Sequence, residues 1–251
     1  MASFVLFLHL ARPVGDCLRA GPMRAAIASK FLPFPGRTSP RRLMSALDGS
    51  LARLGLKTID LCYVHYPLPL IDVEGFAEGL VEAVKSGKAR AVGVANFNAD
   101  QMRRIADHLA RAGVPLAANQ VNYSLLRREA ETNGVLAACR ELDVALVAYF
   151  PVGSGRLTRP SDSLGTKAVL TCLADIARAH DASISQVALN WLMARDGHVI
   201  PIPGATKPHH AMANLDALAW RLSETEFDAI DRASATVEQE SGAHRTPHLH
   251  L

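Results

Sequence analysis

Residues 58–67, Thr-Ile-Asp-Leu-Cys-Tyr-Val-His-Tyr-Pro, put a histidine and then a proline at the end of a nearly unbroken apolar run. Such a run bounded by proline reads as a parallel strand, because helices cover both faces of a parallel sheet and leave no polar side. His65 then falls where a buried strand meets a loop. In a β/α barrel that strand end is the rim on which sites are built.

The same pattern extends in both directions. Apolar, strand-like runs lie at 26–31, 59–66, 89–96, 116–122, 144–150 and 199–202. Helical periodicity fills the intervals. Residues 40–54 line up Leu43, Leu47, Leu51 and Leu54, with Thr38-Ser39-Pro40 as cap and first-turn proline and Gly55 as the stop. Residues 74–86 align Phe76, Leu80, Val81 and Val84, and Asn98 caps a pattern through Met102, Ile105 and Leu109 that Gly113 closes. A helix is predicted over 131–142 on Val135, Leu136, Cys139 and Leu142. The last interval carries two helical patterns, one on Leu170, Leu173 and Ile176 and one on Val187, Leu189 and Trp191. Ser183-x-x-Gln186 and Ser223-x-x-Glu226 have the form of capping boxes.

Strand and helix alternate at roughly thirty residues per unit, the period of a βα repeat. No linker rich in Gly, Pro and Ser interrupts them, so one domain is expected over 1–251, with a divergent N-terminal segment at 1–25 and a flexible tail at 241–251. An open doubly wound sheet usually carries a Gly-rich phosphate turn after its first strand. Here Gly153-Ser154-Gly155 comes only after the fifth strand. The pattern favours a closed β/α barrel over an open sheet.

Composition narrows the function. The 251 residues are 49% hydrophobic and 6% aromatic, with a net charge of +3 from scattered Lys and Arg. A nucleic-acid surface needs a basic patch with interleaved aromatics, so that class is set aside. Cys17, Cys62, Cys139 and Cys172 form no C-x-x-C pair, which argues against a zinc or disulfide framework and suits a reducing compartment. No run is long enough to span a membrane, and the apolar residues 2–8 lack a basic flank, so a cytoplasmic protein is expected. Arg12, Arg19 and Arg24 beside the single acid Asp16 leave organelle targeting open. His244, His248 and His250 read as solvated tail residues, and no metal is expected.

Lys30, His65, Asn96, Gln120 and Tyr149 stand at the ends of the first five strand runs in succession. Each has a structural explanation alone; their order at strand ends predicts a converging ring. At these positions the chain is similar to the aldo-keto reductase family. The matching pieces are Ala-Ser-Lys-Phe (28–31), Leu-Gly-Leu-Lys-Thr-Ile-Asp-Leu (54–61), Val-His-Tyr-Pro (64–67), Gly-Lys-Ala-Arg-Ala-Val-Gly-Val-Ala-Asn-Phe (87–97), Asn-Gln-Val-Asn-Tyr-Ser (119–124), Val-Ala-Tyr-Phe-Pro-Val-Gly (147–153) and Ile-Pro-Gly-Ala-Thr-Lys (202–207).

The resemblance implies an α/β fold, a (β/α)8 barrel of the triosephosphate isomerase (TIM) type, that binds NADPH and reduces small aldehyde or ketone carbonyls to alcohols. It makes Lys30 the lysine that lowers the pKa of an acid tyrosine, and His65 the group that orients the carbonyl oxygen. It gives Asn96 and Gln120 the nicotinamide carboxamide, and Tyr149 the face of the nicotinamide ring. Lys207 and His210 would meet the adenosine 2′-phosphate, Asn214 the adenine, and Gly204 and Ala205 would offer amides to that phosphate.

Some positions depart from the family pattern. Ala95 and Phe150 stand where serines are usual, and His210 stands where arginine is common. The residues before Lys30 contain no tyrosine and one carboxylate, Asp16, whereas the family takes its acid tyrosine from that region. Tyr66 adjoins His65, but strand alternation predicts that it points to the opposite face. The first two βα units are therefore expected to be absent or replaced, with edges near Ala28 and Ile200 open to self-association. Three readings stand: an NADPH-dependent carbonyl reductase, a non-catalytic relative that binds nucleotide or a partner, or an incomplete, inactive chain.

Overall fold

The computed structural model describes residue 16 and residues 25–34, 39–68 and 73–241. The expected N-terminal segment and tail lie almost wholly outside these residues, as do Cys17, His244, His248 and His250. Six strands, β1 (Ala28–Phe31), β2 (Ile59–Val64), β3 (Ala89–Ala95), β4 (Leu116–Asn122), β5 (Ala145–Tyr149) and β6 (Val199–Ile202), form one sheet in chain order. All six fall within the predicted apolar runs. Helices alternate with them, and the chain divides within β4 into two compact units.

In the first unit the strands pair in parallel, Lys30 opposite Tyr63 and Tyr63 opposite Gly93. Helix α1 (Pro40–Leu54) begins where the Ser39 hydroxyl accepts from the Arg42 amide at 3.4 Å and ends at Gly55, whose left-handed φ of 70° only glycine adopts without strain. Leu43, Leu47, Leu51 and Leu54 are its buried stripe, and each contributes about 1.5–3 kcal/mol by leaving water. Helix α2 (Val73–Lys85) packs between α1 and α3 (Ala99–Arg111), which opens with a full capping box between Asn98 and Gln101.

In the second unit β5 and β6 pair in parallel, Tyr149 opposite Ile202. The helix predicted over 131–142 is two helices, α4 (Glu129–Thr132) and α5 (Val135–Leu142). Gly134, at φ 84°, and an Asn133 side chain that accepts from the Val135 amide at 3.1 Å make the break. A 3-10 segment at Gly153–Thr158, kinked by left-handed Ser154 and Gly155, follows β5. Helices α6 (Leu164–Ala179), α7 (Ile184–Arg195), α8 (Pro208–Asp216) and α9 (Glu224–Ser241) complete the unit. Both predicted capping boxes form, at Ser183–Gln186 and Ser223–Glu226.

A buried ionic cluster ties α4, α7 and α9 together. Glu131 accepts from Arg128, Arg195 and the Tyr123 hydroxyl, and Arg128 also reaches Asp231 at 2.9 Å and Ser234 at 2.8 Å. The Arg128 guanidinium lies 5.0 Å from the centre of the Trp191 ring. Burial works against the Glu131 carboxylate, but hydrogen bonding and charge from Arg128, then Tyr123 and Arg195, outweigh it and hold its pKa low. No helix among the described residues is long and apolar enough to cross a membrane.

Candidate active site

Three predicted site residues come together in the first unit, at the C-terminal ends of neighbouring strands. Lys30 is the next-to-last residue of β1, and His65 and Asn96 directly follow β2 and β3. The His65 amide donates to the Phe31 carbonyl at 2.9 Å, which carries the ladder one step past β2 and fixes the histidine beside the end of β1. Asn96 sits at φ 61°, a region that asparagine tolerates better than most residues, and its side-chain amide donates to the His65 carbonyl at 3.1 Å. The two loops after β2 and β3 are thus held to each other.

The electrostatics follow from burial. All three side chains are half-buried. Loss of solvent lowers the Lys30 pKa from 10.5 to about 8, and burial, then the Lys30 charge, lower that of His65 from 6.5 to about 4. His65 is therefore neutral near pH 7, and its ring can donate one hydrogen bond to an oxygen. A neutral donor beside an ammonium suits polarisation of a carbonyl.

Parallel partners project to the same face, so Tyr63 shares a face with Lys30 and Gly93. A Cβ at Gly93 would stand 2.6 and 2.8 Å from Tyr63 ring carbons and 2.9 Å from the Ala118 carbonyl oxygen, so this glycine makes room for the ring. Asn119, which sequence reasoning passed over for Gln120, has a holding role. Its amide donates to the Phe97 carbonyl at 2.9 Å and so anchors the turn that carries Asn96. Its buried Oδ1 has no hydrogen-bond partner. The adjacent amides Asn119-Gln120 were the available signal, since neighbours on a strand serve opposite faces.

The expectation for Tyr66 needs correction. β2 ends at Val64, so strand alternation no longer governs the next residues, and the His65 and Tyr66 rings stack at 4.6 Å with 28° between their planes. Tyr66 is 40% exposed, whereas Tyr63 and Tyr123 are fully buried. Tyr123 donates to Glu131 at 2.9 Å, and burial, then the Glu131 charge, push its pKa far above the ordinary value.

The second unit carries the other predicted residues. Gln120 is buried in β4, and half-buried Tyr149 closes β5, its carbonyl accepting from the Tyr123 amide at 3.3 Å. Phe150 is 52% exposed, at φ 53°, with its ring edge-on to Tyr149 at 5.1 Å. Gly204 and Ala205 lie in the exposed connection from β6 to α8. Lys207 is the N-cap of α8 with no side-chain cap, and the spacing to His210 and Asn214 puts all three along one helical face. Lys207 and His210 are exposed and Asn214 half-buried. Gln186 holds α8 to α7 by donating to the Ala213 carbonyl at 2.9 Å. An uncapped helix start beside a lysine suits an anion.

This order of elements and residues has known counterparts. The sequence profile of the Aldo/keto reductase family matches residues 14–235. The chloroplastic pyridoxal reductase of Arabidopsis thaliana is 31% identical over 237 residues, which cover 86% of this chain and 64% of that protein. The chain thus spans a little under two thirds of that relative's length. Among solved structures, a thermostable aldo-keto reductase in complex with the inhibitor epalrestat superposes with a TM-score of 0.76 at 31% identity, covering 90% of this chain and 77% of the other. An aldo/keto reductase from Klebsiella pneumoniae, in complex with NADP and acetate, gives 0.76 at 26% identity, covering 88% and 74%. The parallel sheet with alternating helices is in keeping with six of the eight strand–helix repeats of the expected barrel. With the profile matched across nearly the whole described chain, this protein belongs to the aldo-keto reductase family.

Proposed function

We propose that this chain binds NADP(H) and presents Lys30 and His65 to an aldehyde or ketone carbonyl, and that it reduces that carbonyl slowly. The observation that carries the dinucleotide reading is the start of α8, where Lys207, His210 and Asn214 share a face at an uncapped helix N-terminus. That donor set fits a phosphorylated nucleoside: a fixed cation and backbone amides for the phosphate, a side-chain amide for a base edge. His210 is a weaker phosphate partner than an arginine, so Lys207 carries most of the discrimination.

When bound, the nicotinamide supplies a hydride to the carbonyl carbon. In the second unit, Gln120 has the amide to hold a carboxamide and Tyr149 a ring face on which to seat a flat heterocycle. In the first unit, neutral His65 hydrogen-bonds the carbonyl oxygen while the Lys30 charge favours the negative charge that grows there. Asn96, whose amide donates to the His65 carbonyl, carries a side-chain oxygen of the kind that accepts from a carboxamide. The acid is the weak point. Tyr63 and Tyr123 are closed to substrate, and Tyr66 is exposed and stacked on His65. Without a positioned general acid such a step is slower by about 10²–10⁴-fold.

Fluorescence titration of NADPH and NADH tests the binding reading. Lys207→Ala should weaken NADPH at least tenfold and leave NADH within about twofold, because only the former carries the extra phosphate. Equal losses for the two would refute the assignment.

A further inference from the structure

We propose that Asn119 is a positioning residue for the carboxamide end of the site: through the Phe97 carbonyl it holds Asn96 in the turn that closes on His65. The inference deepens the reading proposed above and rests on the carboxamide role given there to Asn96.

Asn119 lies on β4, 0% exposed, between buried Ala118 and Gln120. Its amide nitrogen meets two acceptors inside the fold, the Phe97 carbonyl at 2.9 Å and Met102 Sδ at 3.0 Å. The sulfur is a weak acceptor, so the carbonyl is the partner that counts. The Asn119 Oδ1 is equally buried and has no hydrogen-bond partner. An amide with an orphaned oxygen is a costlier core residue than an apolar side chain of its size, unless the bond its nitrogen makes offsets the difference.

What that bond holds is a strained turn. Phe97 directly follows Asn96, whose φ of 61° is a conformation that a non-glycine residue keeps only where its surroundings impose it. Beyond Phe97, Asn98 is fixed as the cap of α3. It accepts from the Gln101 amide at 2.9 Å, and its own amide donates to the Gln101 side chain at 3.0 Å. The cap pins one end of the turn and Asn119 pins its middle. From Asn96 the line continues, its side-chain amide donating to the His65 carbonyl at 3.1 Å and the His65 amide to the Phe31 carbonyl at 2.9 Å.

One run of hydrogen bonds thus crosses the C-terminal ends of neighbouring strands, from β4 to β3 to β2 to β1. Asn119 is its buried end, where water does not readily replace a lost bond. Without the Asn119 donor the Phe97 carbonyl loses this partner, and the turn relaxes toward an ordinary φ at Asn96. The Asn96 amide then leaves the His65 carbonyl, and a carboxamide is no longer met at a fixed place.

The test uses the full chain, isotopically labelled, and first reads it by nuclear magnetic resonance without nucleotide. In the wild type the buried Asn119 side-chain amide protons should exchange slowly with heavy water. Exchange as fast as that of an exposed asparagine overturns the proposal and needs no variant. Asn119→Leu and Asn119→Ala both remove the donor, so either serves where the other fails to fold. In them the Asn96 side-chain amide resonance should move to the position of solvated asparagines, and an unmoved resonance overturns the proposal. Met102→Leu is the control, since it removes the sulfur beside Asn119 and keeps the bond to Phe97. An Asn96 shift as large in that control as in Asn119→Leu also overturns it.

Calorimetric titration then compares NADP+ with its nicotinic acid analogue, in which a carboxylate replaces the carboxamide. The wild type should prefer NADP+ by about tenfold or more, and the Asn119 variants should narrow that preference by at least about threefold. Their preference for NADP+ over NAD+, which reads the phosphate at Lys207, should stay within about twofold of the wild type. Both preferences lost together would mark a merely structural residue and overturn the proposal. A carboxamide preference kept in the variants fails the proposal alone, whereas a wild type without that preference fails the reading of Asn96 itself and the proposal with it.

Discussion

Replacing Gly93 by alanine puts one methyl group where the structure has none to spare. The added carbon would meet Tyr63 at 2.6 and 2.8 Å and the Ala118 carbonyl oxygen at 2.9 Å, all well inside van der Waals contact. Tyr63 is 1% exposed and shares its face with Lys30, so the ring cannot swing into solvent, and the carbonyl belongs to the backbone of β4. Overpacking of this kind costs about 1–3 kcal/mol, and the gain from stiffening the unfolded chain returns about 0.4–1 kcal/mol. A net loss of about 1–2 kcal/mol follows, or a Tm lower by about 2–8 °C for a chain of this size. Thermal and urea unfolding of Gly93→Ala, Tyr63→Leu and the double variant measure it. The two changes should couple, the double variant losing at least about 0.5 kcal/mol less than the sum, because a smaller side chain relieves one of the clashes. A Gly93→Ala protein as stable as the wild type, or strictly additive losses, would refute the view of Gly93 as the seat of the Tyr63 ring.

Glu131→Gln removes the charge that Arg128 and Arg195 share and should cost about 3 kcal/mol by denaturant unfolding, since Arg128 keeps Asp231; a loss under 1 kcal/mol would show the cluster to be dispensable. His65 should make the fold acid-sensitive. The unfolded chain binds its proton below about 6.5 and the folded one not until about 4, so falling pH across that window favours unfolding, by up to about 1.4 kcal/mol per pH unit. His65→Asn should flatten the stability profile between those values, and an unchanged slope would contradict the lowered pKa.

The strands were readable where a short apolar run is buried nearly throughout and bounded by turn residues, as in β2, whose Ile59, Cys62, Tyr63 and Val64 are all buried. Helix ends were readable where a single side chain does the capping, as at Ser39, Asn98 and Ser183. The break at Asn133-Gly134 was not, because Val135, Leu136 and Cys139 keep the helical period on one side of it and mask the turn. The 3-10 segment escaped for a related reason: its left-handed residues include a serine, which carries no such signature. Lys30, His65 and Asn96 are at strand ends, as the pattern said, but the amide of Asn96 on the His65 carbonyl is a contact across 31 residues that no local pattern encodes. Tyr66 was misread because alternation holds only while the strand does. Roles for these residues came from resemblance, since spacing places a side chain without saying what it binds.

Single-wavelength assay of NADPH oxidation with a reactive aromatic aldehyde measures whether the proposed site, in which no described tyrosine is placed as the acid, turns over. Turnover barely above the cofactor-only control is expected, at NADPH concentrations that titration shows to be saturating. Brisk turnover that survives Tyr66→Phe would contradict it, for the hydride step would then be running on an acid other than any tyrosine the described site presents.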